Sequence, residues 1–153
     1  MDRESLADAL ATQLNSVRRA LRRRLRAGLA VPALPASQVE LLRLVERSPG
    51  IGVSGAAARL HLAGNSVSTL VNQLTAAGLL RRERDPADGR SARLFLTDAA
   101  TARLDAWRAA RISLLATAMD QLTAHERNAL ASAVPPLARL ATIMAAEARG
   151  EDE

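Results

Sequence analysis

The chain has no cysteine, no lysine and no tyrosine, and only one phenylalanine and one tryptophan in 153 residues. Without cysteine there is no disulfide framework, no thiol redox sensor and no thiolate metal site. The two histidines, His61 and His125, are isolated and have no carboxylate at metal-ligand spacing. Neither a glycine-rich phosphate loop nor a nucleophile motif occurs. The expectation is therefore no metal, no cofactor and no enzyme, because no catalytic site assembles. No uninterrupted apolar run approaches the ~18 residues of a membrane span. The opening MDRESLADAL lacks the basic-then-apolar pattern of a secretory leader. A cytoplasmic protein with no membrane partner is expected. The scarcity of aromatics also argues against an aromatic cage for a ligand.

What is present is apolar and basic. Apolar residues make up 48% of the chain, but many are alanine, which buries little area per residue. Long helices with thin individual cores then tend to need a partner chain. The length suits one domain, or one domain with appended helices. All 21 basic residues are arginine, and the net charge is +5. Arginine favours bidentate contact with phosphates and bases, although a GC-rich coding bias explains the same preference. A net basic surface favours a polyanionic partner under either reading.

Apolar spacing divides the chain into helices. Leu6, Leu10, Leu14, Val17, Leu21 and Leu25 step by three or four, predicting a first helix over 5–28. Asp2 or Ser5 is placed to cap it. Pro32 and Pro35 mark a linker. Ser37-Gln38-Val39-Glu40 reads as a capping box for a second helix to about Arg47. Ile51-Gly52-Val53 is a candidate for a very short strand, after which Ser54 is placed to cap a third helix ending at Leu60. A fourth helix is predicted over 65–77, with Gly78 as its stop. Its core face is Val67, Leu70, Val71 and Leu74. The opposite face carries Asn65, Ser66, Ser68, Thr69, Asn72 and Gln73, all uncharged hydrogen-bonding residues.

The segment from Leu79 to Thr97 reads as two short strands joined by a basic tip. Leu94 and Leu96 alternate with Arg93 and Phe95, and Leu80, Arg82 and Arg84 with Arg81, Glu83 and Asp85. Pro86 and Gly89 suit the reversal between them. A fifth helix starts at Thr97 or Asp98 and runs to about Asp120. Thr123-Ala124-His125-Glu126 is a capping box opening the last helix, in which Pro135-Pro136 predicts a kink or break. Arg149 to Glu153 reads as a frayed tail.

A helix pair followed by a basic hairpin is a winged helix-turn-helix. Asn and Gln match the adenine edge in the major groove, and Ser and Thr can donate or accept at several bases. The N-terminal residues of the second helix face the bases in such motifs. No charged residue occurs from His61 to Leu80, so electrostatic attachment falls to the hairpin. The candidate backbone and wing contacts are Ser54, Arg82, Arg84, Asp88, Arg90, Ser91 and Arg93. Arg90, nearest the tip, could enter a narrow minor groove with Asp88 holding its guanidinium. The alternative for Arg90 is an ion pair with Asp85 or Asp88 that only stabilises the turn.

The run from Val53 to Thr97 resembles the MarR family of bacterial transcriptional regulators. The resemblance rests on Leu74-Thr75-Ala76-Ala77-Gly78-Leu79-Leu80-Arg81-Arg82, on Asp85-Pro86-Ala87-Asp88-Gly89-Arg90 and on Leu94-Phe95-Leu96-Thr97. The order of the other helices also fits. It implies a mainly α fold with a small β-hairpin wing. Residues 36–97 would form the winged helix-turn-helix, and residues 1–30 and 98–148 the helices of a homodimer. It implies sequence-specific binding of double-stranded DNA, repression of a pseudo-palindromic operator, and relief by a small acidic or aromatic inducer. Two departures stand out. Many relatives carry Arg or Lys where this chain has Thr69 or Gln73, and Pro135-Pro136 is unusual in a dimer helix.

Several residues retain two readings. Arg18 and Arg22, in the cluster up to Arg26, are candidates for a ligand carboxylate, with Trp107 lining the same pocket. They are equally a solvated cationic face and a core tryptophan. Leu130, Val134, Leu137, Leu140, Ile143 and Met144 need covering, by a second chain or within one chain. The alternative to a DNA reader is a winged helix that binds only protein. A basic wing and a polar reading face oppose that.

Overall fold

Helices α1 (Arg3–Gly28), α2 (Ala36–Arg47), α3 (Val53–Leu60), α4 (Gly64–Ala76), α5 (Asp98–Met119) and α6 (Ala124–Gly150) alternate with strands β1 (Ile51–Gly52), β2 (Leu80–Arg84) and β3 (Ala92–Leu96) in the computed structural model. It describes residues 1–28, 34–86 and 92–150, with side chains to 146. The strands form an antiparallel sheet in the order β1-β3-β2. The chain divides into two units, Met1–Arg111 and Ile112–Glu153. The expected fold class, mainly α with a small β-hairpin wing, is the one observed.

In the first unit the apolar spacing of α2, α3 and α4 converges under the sheet. Leu41, Leu42, Val45, Ala56, Val67, Val71, Leu74 and Leu94 are essentially inaccessible to solvent. Ala100 and Leu104 of α5 complete this core. Glu46 of α2 pairs with Arg108 of α5 at 3.0 Å. Of α1's apolar seam only Leu25 is buried. In the second unit no described residue is buried.

Helix ends differ from expectation where backbone geometry removes the need for a side-chain cap. Asp2 caps α1, accepting the Ser5 N–H at 2.8 Å. In α2, Ser37 is not the cap. Pro35, fixed near φ −53° and extended in ψ, turns the chain directly into the helix at Ala36, and its carbonyl accepts the Val39 N–H at 3.1 Å. Ser54 does not cap α3 either. Gly52, extended at the end of β1, leads straight into Val53 and leaves Ser54 exposed on the first turn. Helix α4 begins one residue before the expected Asn65, with Ala63 at its N-cap.

The stops of α3 and α4 rest on left-handed residues. Gly78 (φ +69°) ends α4, where its N–H donates to the Thr75 carbonyl at 3.0 Å and the Leu79 N–H to the Leu74 carbonyl at 2.9 Å. That is the paired closure of a Schellman motif, in which glycine avoids the Cβ penalty. His61 (φ +50°) does the same at the end of α3. Thr97 then joins two elements. Its hydroxyl donates to the Gly78 carbonyl at 2.7 Å and accepts the Ala100 N–H at 3.2 Å as the N-cap of α5.

The predicted capping box at α6 is formed. The Thr123 N–H donates to Glu126 Oε2 at 2.8 Å, and the Glu126 N–H to Thr123 Oγ1 at 3.2 Å. The expected break at Pro135-Pro136 does not occur, and α6 runs unbroken from Ala124 to Gly150. Proline's φ is compatible with a helix, and the carbonyls it deprives of donors, on Ala131 and Ser132, belong to exposed residues that water can reach. The frayed tail expected from Arg149 begins inside α6, and residues 151–153 lie outside the described residues. No uninterrupted apolar run reaches the length of a membrane span, but a charge-interrupted one does. Among the described residues one helix stretch, Ala124–Ala146, is long and apolar enough to cross one, with a mean hydropathy of 1.4. Averaging over alanine and leucine outweighs the isolated charges that interrupt every run.

Candidate nucleic-acid interface

Helix α4 turns Val67, Val71 and Leu74 inward, so its ~100° step per residue puts Asn65, Thr69 and Asn72 on the opposite side. Asn65, Ser66, Thr69, Asn72 and Gln73 are exposed, and Ser68 is half-buried on the flank. Of the exposed ones, Asn65, Ser66 and Thr69 make only local bonds. Asn65 Oδ1 accepts the Ser66 N–H at 2.8 Å, satisfying one of the unpaired donors of the first turn. The Thr69 hydroxyl donates to the Asn65 carbonyl at 3.0 Å.

The other two tie the helix to its neighbours. Arg82 of β2 donates to Asn72 Oδ1 at 2.6 Å. This follows from the β2–β3 register, which opposes Leu80 to Leu96, Arg82 to Leu94 and Arg84 to Ala92. Arg82 therefore lies on the sheet face that also carries the buried Leu80 and Leu94. It is engaged with α4, whereas the sequence pointed to phosphate. Fixing the Asn72 oxygen leaves its NH2 group as the outward donor. On the other side Gln38 of α2 donates to Gln73 Oε1 at 3.0 Å. Gln38 had no signal in the sequence beyond its place in a presumed capping box.

The opposite sheet face carries Arg81, Glu83, Arg93 and Phe95. The Arg81 guanidinium lies 4.8 Å from the Phe95 ring centroid and pairs with Glu83. Arg93 pairs with Asp85 at 3.4 Å, the acid that had been a candidate partner for Arg90. Arg84 is exposed and in no ion pair among the described residues. Asp88, Arg90 and Ser91 lie outside the described residues. Among the described residues of the wing, Arg84 has no such partner, while Arg81, Arg82 and Arg93 each have one.

The residues singled out for a ligand come together elsewhere in the first unit. Arg18 and Arg22 of α1 and Trp107 of α5 line one cavity of about 370 Å³. Leu21, Leu25 and Val39 supply apolar wall, and Arg26, Arg43, Arg111 and Glu40 are also at its surface. Burial, and then the charges of Arg111 and Arg47, lower the pKa of the Arg43 guanidinium from its ordinary value. The sequence reading missed Arg43 and Arg111 because they stand far from the α1 cluster in the chain.

A profile of the MarR family matches residues 34–91. A putative transcriptional regulator from Pseudomonas aeruginosa is 32% identical over 90% of this chain and 94% of its own, with a TM-score of 0.78. A MarR family protein from Bacillus stearothermophilus is 20% identical over 93% of this chain and 99% of its own, with a TM-score of 0.74. Streptococcus pneumoniae FabT, solved in complex with DNA, is 17% identical over 94% and 99%, with a TM-score of 0.71. No curated protein gives a significant match. The winged helix-turn-helix, its register and these likenesses agree: the chain belongs to the MarR family and has the fold of its transcriptional regulators.

Proposed function

We propose that this protein is a cytoplasmic, sequence-specific regulator of transcription that binds double-stranded DNA as a homodimer and represses its target. The observation that carries the reading is the outer face of α4, polar and uncharged, with Asn72 held by Arg82 and Gln73 by Gln38. An amide held in one orientation presents a defined donor pattern, which direct readout of a base edge requires. Asn65, Ser66, Ser68 and Thr69 complete the reading surface. Ser54, Arg84 and the wing residues Asp88, Arg90 and Ser91 attach it to phosphates and the minor groove. The DNA complex of FabT, which shares this fold, supports the same use of the motif.

Residues 1–30 and 98–148 serve as the dimerisation region in this reading. Leu130, Val134, Leu140, Ile143 and Met144 of α6 are all exposed, an apolar face that a second copy would cover. Two-fold symmetry then calls for a pseudo-palindromic operator with half-sites about 10 base pairs apart. Relief comes from a small ligand in the cavity beside Arg18, Arg22 and Trp107, which favours a dimer whose reading helices no longer match that spacing.

Titration of the protein against its own upstream DNA, at two salt concentrations with random competitor, tests this. Asn72→Ala should cost about 1–3 kcal/mol of specific affinity and leave non-specific binding nearly unchanged. Arg84→Glu and Arg90→Glu should weaken binding to every sequence and flatten the salt slope. Equal loss on specific and random DNA for Asn72→Ala would remove α4 as the reader.

A further inference from the structure

All three amide side chains of α4, Asn65, Asn72 and Gln73, have their oxygen engaged. Asn65 Oδ1 accepts the Ser66 N–H at 2.8 Å, Asn72 Oδ1 accepts from Arg82 at 2.6 Å, and Gln73 Oε1 accepts from Gln38 at 3.0 Å. At Asn65 and Asn72 chemistry alone fixes which way the amide lies. A backbone N–H and a guanidinium only donate, so the atom they face is the oxygen. Gln38 and Gln73 can exchange donor and acceptor, so that pair carries no such constraint. Asn72 is exposed on the outer side of α4, and its NH2 group is what remains to be offered. Asparagine reads adenine with both atoms, the oxygen taking the N6 amine and the NH2 group giving to N7. Guanine presents two acceptors, N7 and O6, and asks only for donors. Helix α4 has no arginine or lysine to supply them. Arg82 of β2, which bonds Asn72, is exposed. A guanidinium has five N–H donors, and the Asn72 oxygen takes only part of them.

We propose that Asn72 and Arg82 form a donor-only pair that reads the N7 and O6 edge of a guanine in the major groove, with Arg82 as the residue that sets this preference. This rests on the reading of α4 as the major-groove helix, and it adds the base edge that the helix takes. The residue types of α4 on their own point to adenine. Contact with β2 reverses that. The oxygen that an adenine amine needs is turned to a cation, and the amine, itself a donor, would have to approach against the guanidinium. Thymine O4 offers one acceptor beside a methyl group, so it satisfies fewer of the donors than guanine does. A phosphate contact by Arg82 would instead act alike on every sequence.

The full-length protein is used to select from duplexes with a randomised half-site, and Asn72→Ala, Arg82→Met and Arg82→Lys are run beside it, with melting curves to check that each variant is folded. The base pair whose preference Asn72→Ala flattens should be G·C, with guanine favoured over adenine about tenfold by the wild type. Arg82→Met frees the amide to turn both its atoms to a base, and guanine should lose its advantage over adenine at that pair. Arg82→Lys keeps a donor on the Asn72 oxygen and should keep guanine ahead. Putting 7-deazaguanine at that position removes one acceptor and should weaken the wild type about fivefold or more, a measurement that needs no variant to fold. Any base other than guanine favoured there by the wild type, no loss on 7-deazaguanine, or Asn72→Ala leaving every preference as it was overturns the proposal and leaves sequence-specific binding standing. So does Arg82→Met leaving guanine ahead, or weakening all four base pairs alike as loss of a phosphate contact would. No sequence enriched by the wild type overturns the sequence-specific reading itself, and this pair with it.

Discussion

Helices α4 and α6 both carry an apolar stripe, and only one of the stripes is covered. In α4, Val67, Val71 and Leu74 are each 0% exposed. In α6, Leu130, Val134, Leu140, Ile143 and Met144 range from 42% to 62% exposed. The difference is one of neighbours. Helix α4 is a short element between two tight turns, so α2, α3 and the sheet are brought against it by chain connectivity. Helix α6 extends far beyond the turn at Leu122 that anchors it, where Arg127 donates to the Met119 and Leu122 carbonyls. Stripe quality in the sequence is therefore no guide to burial within one chain.

Three experiments bear on that contrast. The largest effect should come from Leu74→Ala, which opens a cavity at the centre of the covered stripe. It should cost about 2–5 kcal/mol in urea denaturation, and DNA binding should fall with the population of folded protein. A cost no greater than that of Leu140→Ala, measured below the dimer dissociation constant, would show that the two stripes do not differ. Ile143→Arg comes next. A charge on the open stripe should convert the proposed dimer to monomer in sedimentation at micromolar concentration. It should also abolish the dependence of the wild-type melting temperature on protein concentration. An unchanged sedimentation coefficient would assign the cover of α6 to something other than a second copy through this face.

The smallest effect concerns the start of α6. The Thr123 hydroxyl, and then its backbone N–H, hold the Glu126 carboxyl below its ordinary pKa of 4.5. A carboxylate depressed in the folded chain adds stability above that value, and the gain is lost as pH falls through the lowered one. Thr123→Ala should lower the melting temperature slightly near about pH 7, and by less at acid pH once the carboxyl is protonated in both states, where only the bond from the Glu126 N–H to the Thr123 hydroxyl is lost. A loss of equal size at both pH values would assign the effect to the cap hydroxyl and its neighbouring backbone alone.

Much of the architecture was legible in short-range patterns. The 3.6-residue period of Val67, Leu70, Val71 and Leu74, the two-residue alternation around Leu94, the glycine at position 78 and the Thr123–Glu126 box are all local signals. Each concerns bonds within one or two turns, where the chain has few alternatives. The same reasoning failed at Ser37 and Ser54 because proline and an extended glycine had already set the backbone, leaving nothing for a side-chain cap to do. It failed at Pro135-Pro136 because exposed carbonyls lose little when water replaces a missing donor.

The candidate site divides along the same line. Sequence alone determined that α4 would show a polar, uncharged face and that the wing would be basic, since both follow from residue type and period. Only tertiary structure decided which arginines remain available. Arg82 turns to Asn72 because the strand register puts it on the inner sheet face, Arg81 lies over Phe95 because the register places the two opposite each other, and Arg84 is left exposed. Tertiary structure likewise joined Arg18 and Arg22 to Arg43, Arg111 and Trp107 around one cavity. Local propensity acts over a few residues, whereas a cavity wall or a cross-strand partner depends on which distant segments the hydrophobic core draws together.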